Sequence, residues 1–315
     1  MKIAVIGGGA IGFIFAAKLH AAGNDTVLVT RTREQAQVLR ETGITLEQAD
    51  GPLRVKVPVA GDAATAGSAD LVIMAVKSFS TANAMKQHRG LLDENTIVVS
   101  VQNGLGNVEA IAKTAGKEKV IAGVTSQGGY VIGPGIMKYA GAGMTYVGEP
   151  GGRRSKRLET IAEIFNTAGI ATEISDDIDG LIWNKLYANV GLNALSALLH
   201  LHNGTTAKIE SARSLQIRAV DEAIAVARAK GMKVNADKVH AHVLSVLEVT
   251  EWNISSMQMD VMRQRRTEIE KLNGAIVELG RQYEVPTPVN DVLVMLIKAI
   301  EESYGKTVPP DCCTV

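Results

Sequence analysis

The stretch Ile3-Ala4-Val5-Ile6-Gly7-Gly8-Gly9-Ala10-Ile11-Gly12 decides the fold. Four apolar residues read as a buried strand. A Gly-x-Gly-x-x-Gly turn follows at Gly7, Gly9 and Gly12, and Phe13 to Ala22 reads as a helix. Strand, tight turn and helix in that order form the phosphate-binding entry of a dinucleotide fold. Gly7 permits the sharp turn, and Gly9 lets the backbone approach a pyrophosphate. Gly12 lets the helix pack close to the strand. The helix N-terminus, with Ala10 and Ile11 in its first turn, favours an anion. Glycines at this spacing also occur in turns that bind nothing, and a flavin or a methyl donor can use the same turn. Context strengthens the dinucleotide reading, because the motif follows a strand and opens an amphipathic helix.

The next strand, Thr26-Val27-Leu28-Val29, bears on which nucleotide is bound. An NAD site usually carries Asp or Glu at the end of this strand, on the ribose 2′-hydroxyl. Here the strand runs into Thr30-Arg31-Thr32-Arg33, and no carboxylate occurs before Glu34. A guanidinium suits a 2′-phosphate through paired hydrogen bonds and stacks on adenine. NADPH is therefore the expected cofactor, with Arg31 on its 2′-phosphate.

Composition is that of a soluble enzyme. The chain has 315 residues, enough for two domains, and a formal net charge of zero. No broad basic surface for nucleic acid is expected, and Arg153-Arg154-Ser155-Lys156-Arg157 reads as a solvated helix start. No secretory signal precedes the first strand and no apolar run approaches membrane-spanning length, so a cytoplasmic protein without membrane contact is expected. The two cysteines, Cys312 and Cys313, are neighbours near the C-terminus and read as an exposed tail. His200/His202 and His240/His242 have i, i+2 spacing, which points helical side chains apart, so no metal site is expected. Oligomeric state is open, a homodimer being one option.

The first half alternates strand and helix. Strands are expected at Leu71–Val76, Ile97–Val101 and Val120–Val124, with helices at Glu34–Glu41 and Val108–Thr114. Ile44–Val57, with Asp50-Gly51 in its middle, reads as a hairpin insertion, and a second, glycine-rich hairpin is expected from Gly129 to Gly148. A helix at Ser155–Thr167 and a strand at Ile170–Ile174 follow. After Ser175-Asp176-Asp177 the strand signals stop, and helices are expected at Ile178–Leu199, Ala212–Lys230, Asp237–Leu247, Ser256–Tyr283 and Asn290–Ser303. The fold class is thus α/β: an N-terminal Rossmann-type dinucleotide-binding domain over residues 1–176, then an all-helical domain over 177–315. Such sheets bind ligands beyond the C-terminal ends of their strands, so the site is expected in a cleft between the domains.

The helix from Leu181 to Leu195 is mostly apolar, yet Lys185, Asn189 and Asn193 recur at i, i+4 and i+8. They fall on one stripe roughly 80° wide. Buried polar groups without partners cost about 1–3 kcal/mol each, so the stripe reads as a cleft wall whose partners are ligand and water. The plainer alternative is a solvent-facing stripe. If residues 253–270 are helical, Asn253, Ser256, Asp260 and Glu268 project from one side, within roughly 120°. Asn253 and Ser256 can donate to a carboxylate, and Glu268 can accept from a hydroxyl. Arg263, Arg265 and Arg266 read as that helix's solvated face. Gln102-Asn103-Gly104 follows a strand end, where such a fold places its chemistry; alone it would read as an ordinary turn.

Taken in order, Gly7-x-Gly9-x-x-Gly12, Val76-Lys77, Val101-Gln102-Asn103-Gly104, Trp183-x-Lys185-Leu186-x-x-Asn189-x-x-x-Asn193, Asn253-x-Ser255-Ser256-Met257-x-x-Asp260 and Thr267-Glu268-Ile269 resemble the ketopantoate reductase (2-dehydropantoate 2-reductase) family. Each motif is weak singly; the ordered set is specific. The resemblance implies NADPH-dependent reduction of a 2-keto acid, ketopantoate to pantoate, in pantothenate and coenzyme A biosynthesis. It implies Lys185 as proton donor and Glu268 near the substrate hydroxyl. Asn189, Asn193, Asn253 and Ser256 would position substrate, and Asn103 would bridge cofactor and substrate. Lys77 and Arg31 would contact the cofactor phosphates. The residue types suit that chemistry. Hydride arriving at a ketone carbon leaves negative charge on oxygen, which an ammonium stabilises and protonates.

Three alternatives stay open on the sequence. One is another 2-hydroxy acid dehydrogenase on the same scaffold, acting on a bulkier acid such as a mandelate. The second is the β-hydroxy acid dehydrogenase family, which also uses a Lys-x-x-x-Asn pair, although Asp179–Asn184 lacks that family's glycine run. The third is a non-catalytic NADP sensor, which predicts a degraded polar set, whereas Lys185, Asn189, Ser256 and Glu268 are all present.

Overall fold

In the computed structural model, which describes residues 1–306, strand β1 (Lys2–Ile6) sends its side chains alternately into two cores. Ile3 and Val5 join Phe13, Leu28, Ile73 and Phe165 on one face, while Ala4 and Ile6 join Val29, Val72, Met74 and Ile111 on the other. A strand covered on both faces is apolar throughout, which is why this run lacks polar alternation. The Cys312-Cys313 tail lies outside the described residues.

β1 leads through the glycine turn into α1 (Ala10–Ala21), β2 (Asp25–Val29) and α2 (Arg33–Thr42). The hairpin β3 (Ile44–Glu47) and β4 (Leu53–Val55) precedes β5 (Val59–Ala60) and the single turn α3 (Ala63–Ala66). β6 (Leu71–Met74), α4 (Thr81–Gln87), β7 (Ile97–Ser100), α5 (Asn107–Ala115) and β8 (Val120–Thr125) continue the alternation. Then come β9 (Gly128–Gly133), β10 (Ile136–Gly141), β11 (Thr145–Gly148), α6 (Lys156–Thr167) and β12 (Thr172–Ile174).

The main sheet has eight strands in the order β12-β11-β8-β7-β6-β1-β2-β5, parallel from β8 through β5. The chain passes from β1 to β2 on one side and returns to β6 on the other, so the order reverses between β1 and β6. That reversal is where open α/β sheets hold their ligands. A four-stranded sheet, β4-β3-β10-β9, joins the core beneath α1 through Leu46 and Met137.

The first expected hairpin is present. The second differs from expectation. β9 and β10 form a hairpin that turns at Pro134-Gly135 and ends with Gly141 opposite Gly128, and the stretch continues as β11, antiparallel to β8 in the main sheet. Thr145 of β11 faces Thr125 of β8, and their hydroxyls hydrogen-bond at 2.8 Å inside the protein. That pairing draws the strand out of the insertion, and nothing local in the sequence announces it.

The remaining elements are helices: α7 (Ile178–Leu199), α8 (Asn203–Lys208), α9 (Glu210–Ala229), α10 (Ala236–Val249), α11 (Ser256–Met262), α12 (Asn273–Gln282) and α13 (Pro288–Ser303). The chain forms two compact units, Met1–Ile182 and the residues from Trp183 onward. In the second unit Asn290, at the start of α13, is buried. Its amide nitrogen donates to the Ala219 carbonyl at 3.0 Å and its backbone N–H to Glu222 at 2.9 Å, fastening α13 to α9. Among the described residues no helix is long and apolar enough to cross a membrane.

The helix expected over Ser256–Tyr283 is broken. α11 stops at Met262 in a Schellman turn. Gln264 takes a left-handed φ of 50°, the Arg265 N–H donates to the Asp260 carbonyl at 2.8 Å, and the Gln264 N–H donates to the Val261 carbonyl at 2.9 Å. Glycine usually marks such a turn, and here a glutamine makes it. The Thr267 N–H is then captured by Glu301 of α13 at 2.7 Å, and a short 3-10 turn at Ile269–Lys271 precedes α12. Asn253, Ser256, Asp260 and Glu268 therefore do not share one helix face.

Candidate active site

In the first unit the glycine turn leads into α1. Gly7 has φ +128°, and a Cβ there would meet the Ala75 carbonyl at 2.8 Å. A Cβ on Gly12 would lie 1.7 Å from the Gly7 carbonyl oxygen, so helix and strand can cross only on a bare glycine. Gly9 is different. It caps α1 at φ −108°, which any residue adopts, and a Cβ there meets nothing within 4 Å. Nothing within the protein demands glycine at this position, and the space a side chain would take lies before the helix N-terminus. The first-turn amides of α1, Ala10 and Ile11 among them, have no partner within the helix, and no acidic side chain sits in that turn. An anionic pyrophosphate fits this cradle.

Arg31 lies just past β2. Thr30 donates to the Thr32 carbonyl at 2.9 Å, and Thr32 caps α2 by accepting from the Gln35 N–H at 3.2 Å, which leaves Arg31 exposed at the apex of the turn. Its neighbour Arg33 is engaged with Asp62 at 3.1 Å. Of the two arginines near this strand end, Arg31 is the one whose guanidinium pairs with no described residue.

Lys77 and Asn103 follow the neighbouring strands β6 and β7, and both are half-buried. A polar lattice locks their two loops together. Gln102 donates to the Val76 carbonyl at 2.8 Å and to the Thr81 hydroxyl at 2.7 Å. Ser78 and the Asn107 amide (2.9 Å) both donate to the Asn103 carbonyl. Asn107 in turn lies 2.9 Å from the Thr81 hydroxyl. With its backbone held from the inside, Asn103 has its side chain left for another partner.

In the second unit α7 carries the stripe expected of it. Lys185 and Asn189 are half-buried and Asn193 is 4% exposed. The other side of the helix is core, with Trp183 and Tyr187 rings 5.8 Å apart and Leu186 and Val190 buried. Burial lowers the Lys185 pKa from the usual lysine range to about 8, and the negative charge of Glu268 pulls it part of the way back. Glu268, itself 5% exposed, thus comes to Lys185 although the two sit on different elements. Asn253 and Ser256 are exposed, in the turn before α11 and at its first residue; Asp260 is buried on α11. A lysine whose pKa is lowered to about 8 beside a buried carboxylate is equipped to move a proton.

Family models described as ketopantoate reductase PanE/ApbA and ketopantoate reductase PanE/ApbA C terminal match residues 3–152 and 177–301. A 2-dehydropantoate 2-reductase of Halobacterium salinarum is 33% identical over 95% of this chain and 98% of its own length. The chain belongs to the ketopantoate reductase family.

Solved structures agree with the assignment. A PanE/ApbA family ketopantoate reductase from Ralstonia eutropha superposes with TM-score 0.89 at 32% identity, covering 97% of this chain and all of its own. A D-mandelate dehydrogenase, solved with NADH and anilino(oxo)acetate, superposes with TM-score 0.92 at 28% identity over 97% of this chain and all of its own. The ketopantoate reductase scaffold is thus shared with at least one enzyme named for a different 2-hydroxy acid.

Several residues that shape the site carry no local signal. Ser78, Thr81 and Asn107, which set the Asn103 loop, belong to no motif read from the sequence. Gln35 of α2 donates to the Gly8 carbonyl at 3.1 Å and so braces the glycine turn from a different element. Only the Gln102-Asn103 pair gave a hint, by its place after a strand.

Proposed function

We propose that this chain reduces 2-dehydropantoate to pantoate with NADPH, using Lys185 as the proton donor. The observation that carries the reading is Lys185 itself, a lysine desolvated on α7 with its pKa near 8, beside buried Glu268 and in line with Asn189 and Asn193. When bound, NADPH supplies a hydride to the keto carbon. The turn Gly7–Gly12 and the first amides of α1, at Ala10 and Ile11, hold its pyrophosphate; Lys77 and Arg31 hold phosphate charge, and Asn103 orients the reacting end. Arg31 supports NADPH over NADH, because no carboxylate stands where a ribose 2′-hydroxyl would need one.

Lys185 does two things in this mechanism. Its ammonium stabilises negative charge growing on the ketone oxygen, and it then gives up its proton to that oxygen, leaving a neutral amine. A pKa near 8 makes this transfer easier than from an ordinary lysine, since less free energy separates the two protonation states. Glu268 keeps the lysine charged before the transfer and accepts a hydrogen bond from the substrate's own hydroxyl. Asn189, Asn193, Asn253 and Ser256 supply neutral donors that hold the carboxylate and tail without cancelling the ammonium's charge.

The test is NADPH oxidation against 2-dehydropantoate, pyruvate, 2-ketoisovalerate and benzoylformate, each repeated with NADH. The expected result is the highest kcat/KM with 2-dehydropantoate and NADPH. Benzoylformate as the best substrate would move the protein to the mandelate side of this scaffold. No turnover of any 2-keto acid would refute the reductase reading.

A further inference from the structure

Asn253 and Ser256, both exposed, precede and begin a seven-residue helix, while the polar stripe they would work with lies on α7. Two exposed residues on a short turn make poor substrate contacts unless something holds that turn in register with the stripe. The link is a pair of buried hydroxyls. Ser196 of α7, fully buried, and Ser255, 5% exposed, place their Oγ atoms 2.7 Å apart.

Ser255 is the N-cap of α11 and accepts from the Gln258 N–H at 3.1 Å. The Ser196 hydroxyl lies 3.1 Å from the Asn193 carbonyl. The Ser196 hydroxyl donates to Ser255 Oγ, so that oxygen accepts both from α7 and from the first turn of its own helix. The Ser255 oxygen thus ties α7 to the first turn of α11. A second tether runs beside it: the Asn203 N–H donates to the Asn253 carbonyl at 3.0 Å, and the Gly204 N–H to the Glu251 carbonyl at 3.0 Å.

We propose that Ser196 and Ser255 are positioning residues for the keto acid, a hydroxyl clamp that fixes the 253–256 turn against α7 so that Asn253 and Ser256 meet the substrate in one frame with Asn189 and Asn193. Neither serine touches substrate. The proposal rests on Asn253 and Ser256 being substrate contacts, as in the proposed function.

The experiment is steady-state kinetics with 2-dehydropantoate and NADPH on Ser196→Ala, Ser255→Ala, Ser255→Thr, Asn253→Ala and Ser256→Ala, with Tm and NADPH Kd measured on each. Ser196→Ala keeps the α11 cap and removes only the link, so it is the decisive variant. It should raise the KM for 2-dehydropantoate about tenfold, the effect of about 1.4 kcal/mol. Its kcat should fall less than about threefold, a KM-against-kcat split expected when an interaction serves bound substrate and transition state alike. NADPH Kd should not change. Ser255→Ala should do the same, and Ser255→Thr, which keeps both cap and hydroxyl, should restore the KM. A lowered Tm with the wild-type KM in Ser196→Ala would make the pair mere packing and overturn the clamp. If Asn253→Ala and Ser256→Ala raise the KM while Ser196→Ala does not, the clamp alone falls. If those two variants leave the KM unchanged, the turn is no substrate contact, and the clamp falls together with that part of the proposed function.

Discussion

At the scale of the residue, Lys185 concentrates the argument. Burial lowers its pKa to about 8, and Glu268 opposes that shift. Ketone reduction needs the ammonium, so kcat should be flat at low pH and fall as pH rises through about 8. The reverse oxidation needs the neutral amine and should rise through the same range. Glu268→Gln removes the charge that raises the lysine pKa, so the fall in kcat should move to lower pH; a shift upward would contradict the pairing. Lys185→Ala should lower kcat by about 10²-fold or more and leave NADPH binding unchanged. A loss of only a few-fold, at saturating NADPH and keto acid, would remove Lys185 from the mechanism. The glycines offer a second contrast. Gly12→Ala sets a Cβ on the Gly7 backbone and should abolish soluble folded protein, while Gly9→Ala adds a Cβ to open space. The latter should keep its Tm and weaken NADPH binding, measured by fluorescence titration. Unchanged binding would show that the cradle before α1 is not where the pyrophosphate sits. These residues were legible in the sequence because their signals are local: glycine spacing after a strand, an i, i+4, i+8 stripe, and a basic residue at a strand end. Glu268 was legible as a residue type, but its place beside Lys185 was not, since no periodicity relates the two.

At the scale of the element, the end of α11 separates pattern from packing. Apolar spacing over 256–283 reads as one helix, and no glycine or proline interrupts it before Gly274. The break is made by a left-handed Gln264 and by Glu301 of α13 holding the Thr267 N–H. In a continuous helix, Gln264→Gly should destabilise by about 1 kcal/mol. At a Schellman position glycine relieves a left-handed strain of about 1–2 kcal/mol and gives back about 0.4–1 through the freer unfolded chain. The expected outcome is a stabilisation of about 0.5 kcal/mol in urea denaturation. A destabilised variant would argue for the continuous helix. The same logic explains β11, which the pattern assigns to a glycine-rich hairpin and which pairs instead with β8. Its inner partner Thr125 is contributed by a strand, and a strand's choice of neighbour is written in the sheet, not in the segment.

At the scale of the whole molecule, the proposed site residues fall in both compact units. The glycine turn, Arg31, Lys77 and Asn103 lie in Met1–Ile182, and Lys185, Asn189, Asn193, Asn253, Ser256 and Glu268 lie beyond. A fragment ending after Ile182 keeps both sheets. It should retain measurable NADPH binding and show no reductase activity, and turnover by that fragment would place the proton donor elsewhere. By itself the sequence determined the alternation of the main strands β1, β2, β6, β7 and β8 with helices, the glycine turn, the helical second half and the stripe on α7. Each of these is set by neighbours within a few turns or one strand, where period and side-chain type suffice. Only the tertiary structure decided that Glu268 stands at Lys185, that Arg33 is engaged with Asp62 while Arg31 is not, and that Ser196 meets Ser255. Those pairings join residues far apart in the chain. A carboxylate, a guanidinium or a hydroxyl has the same local signature whether it faces solvent or a partner, and only the packing of the elements that carry it selects between them.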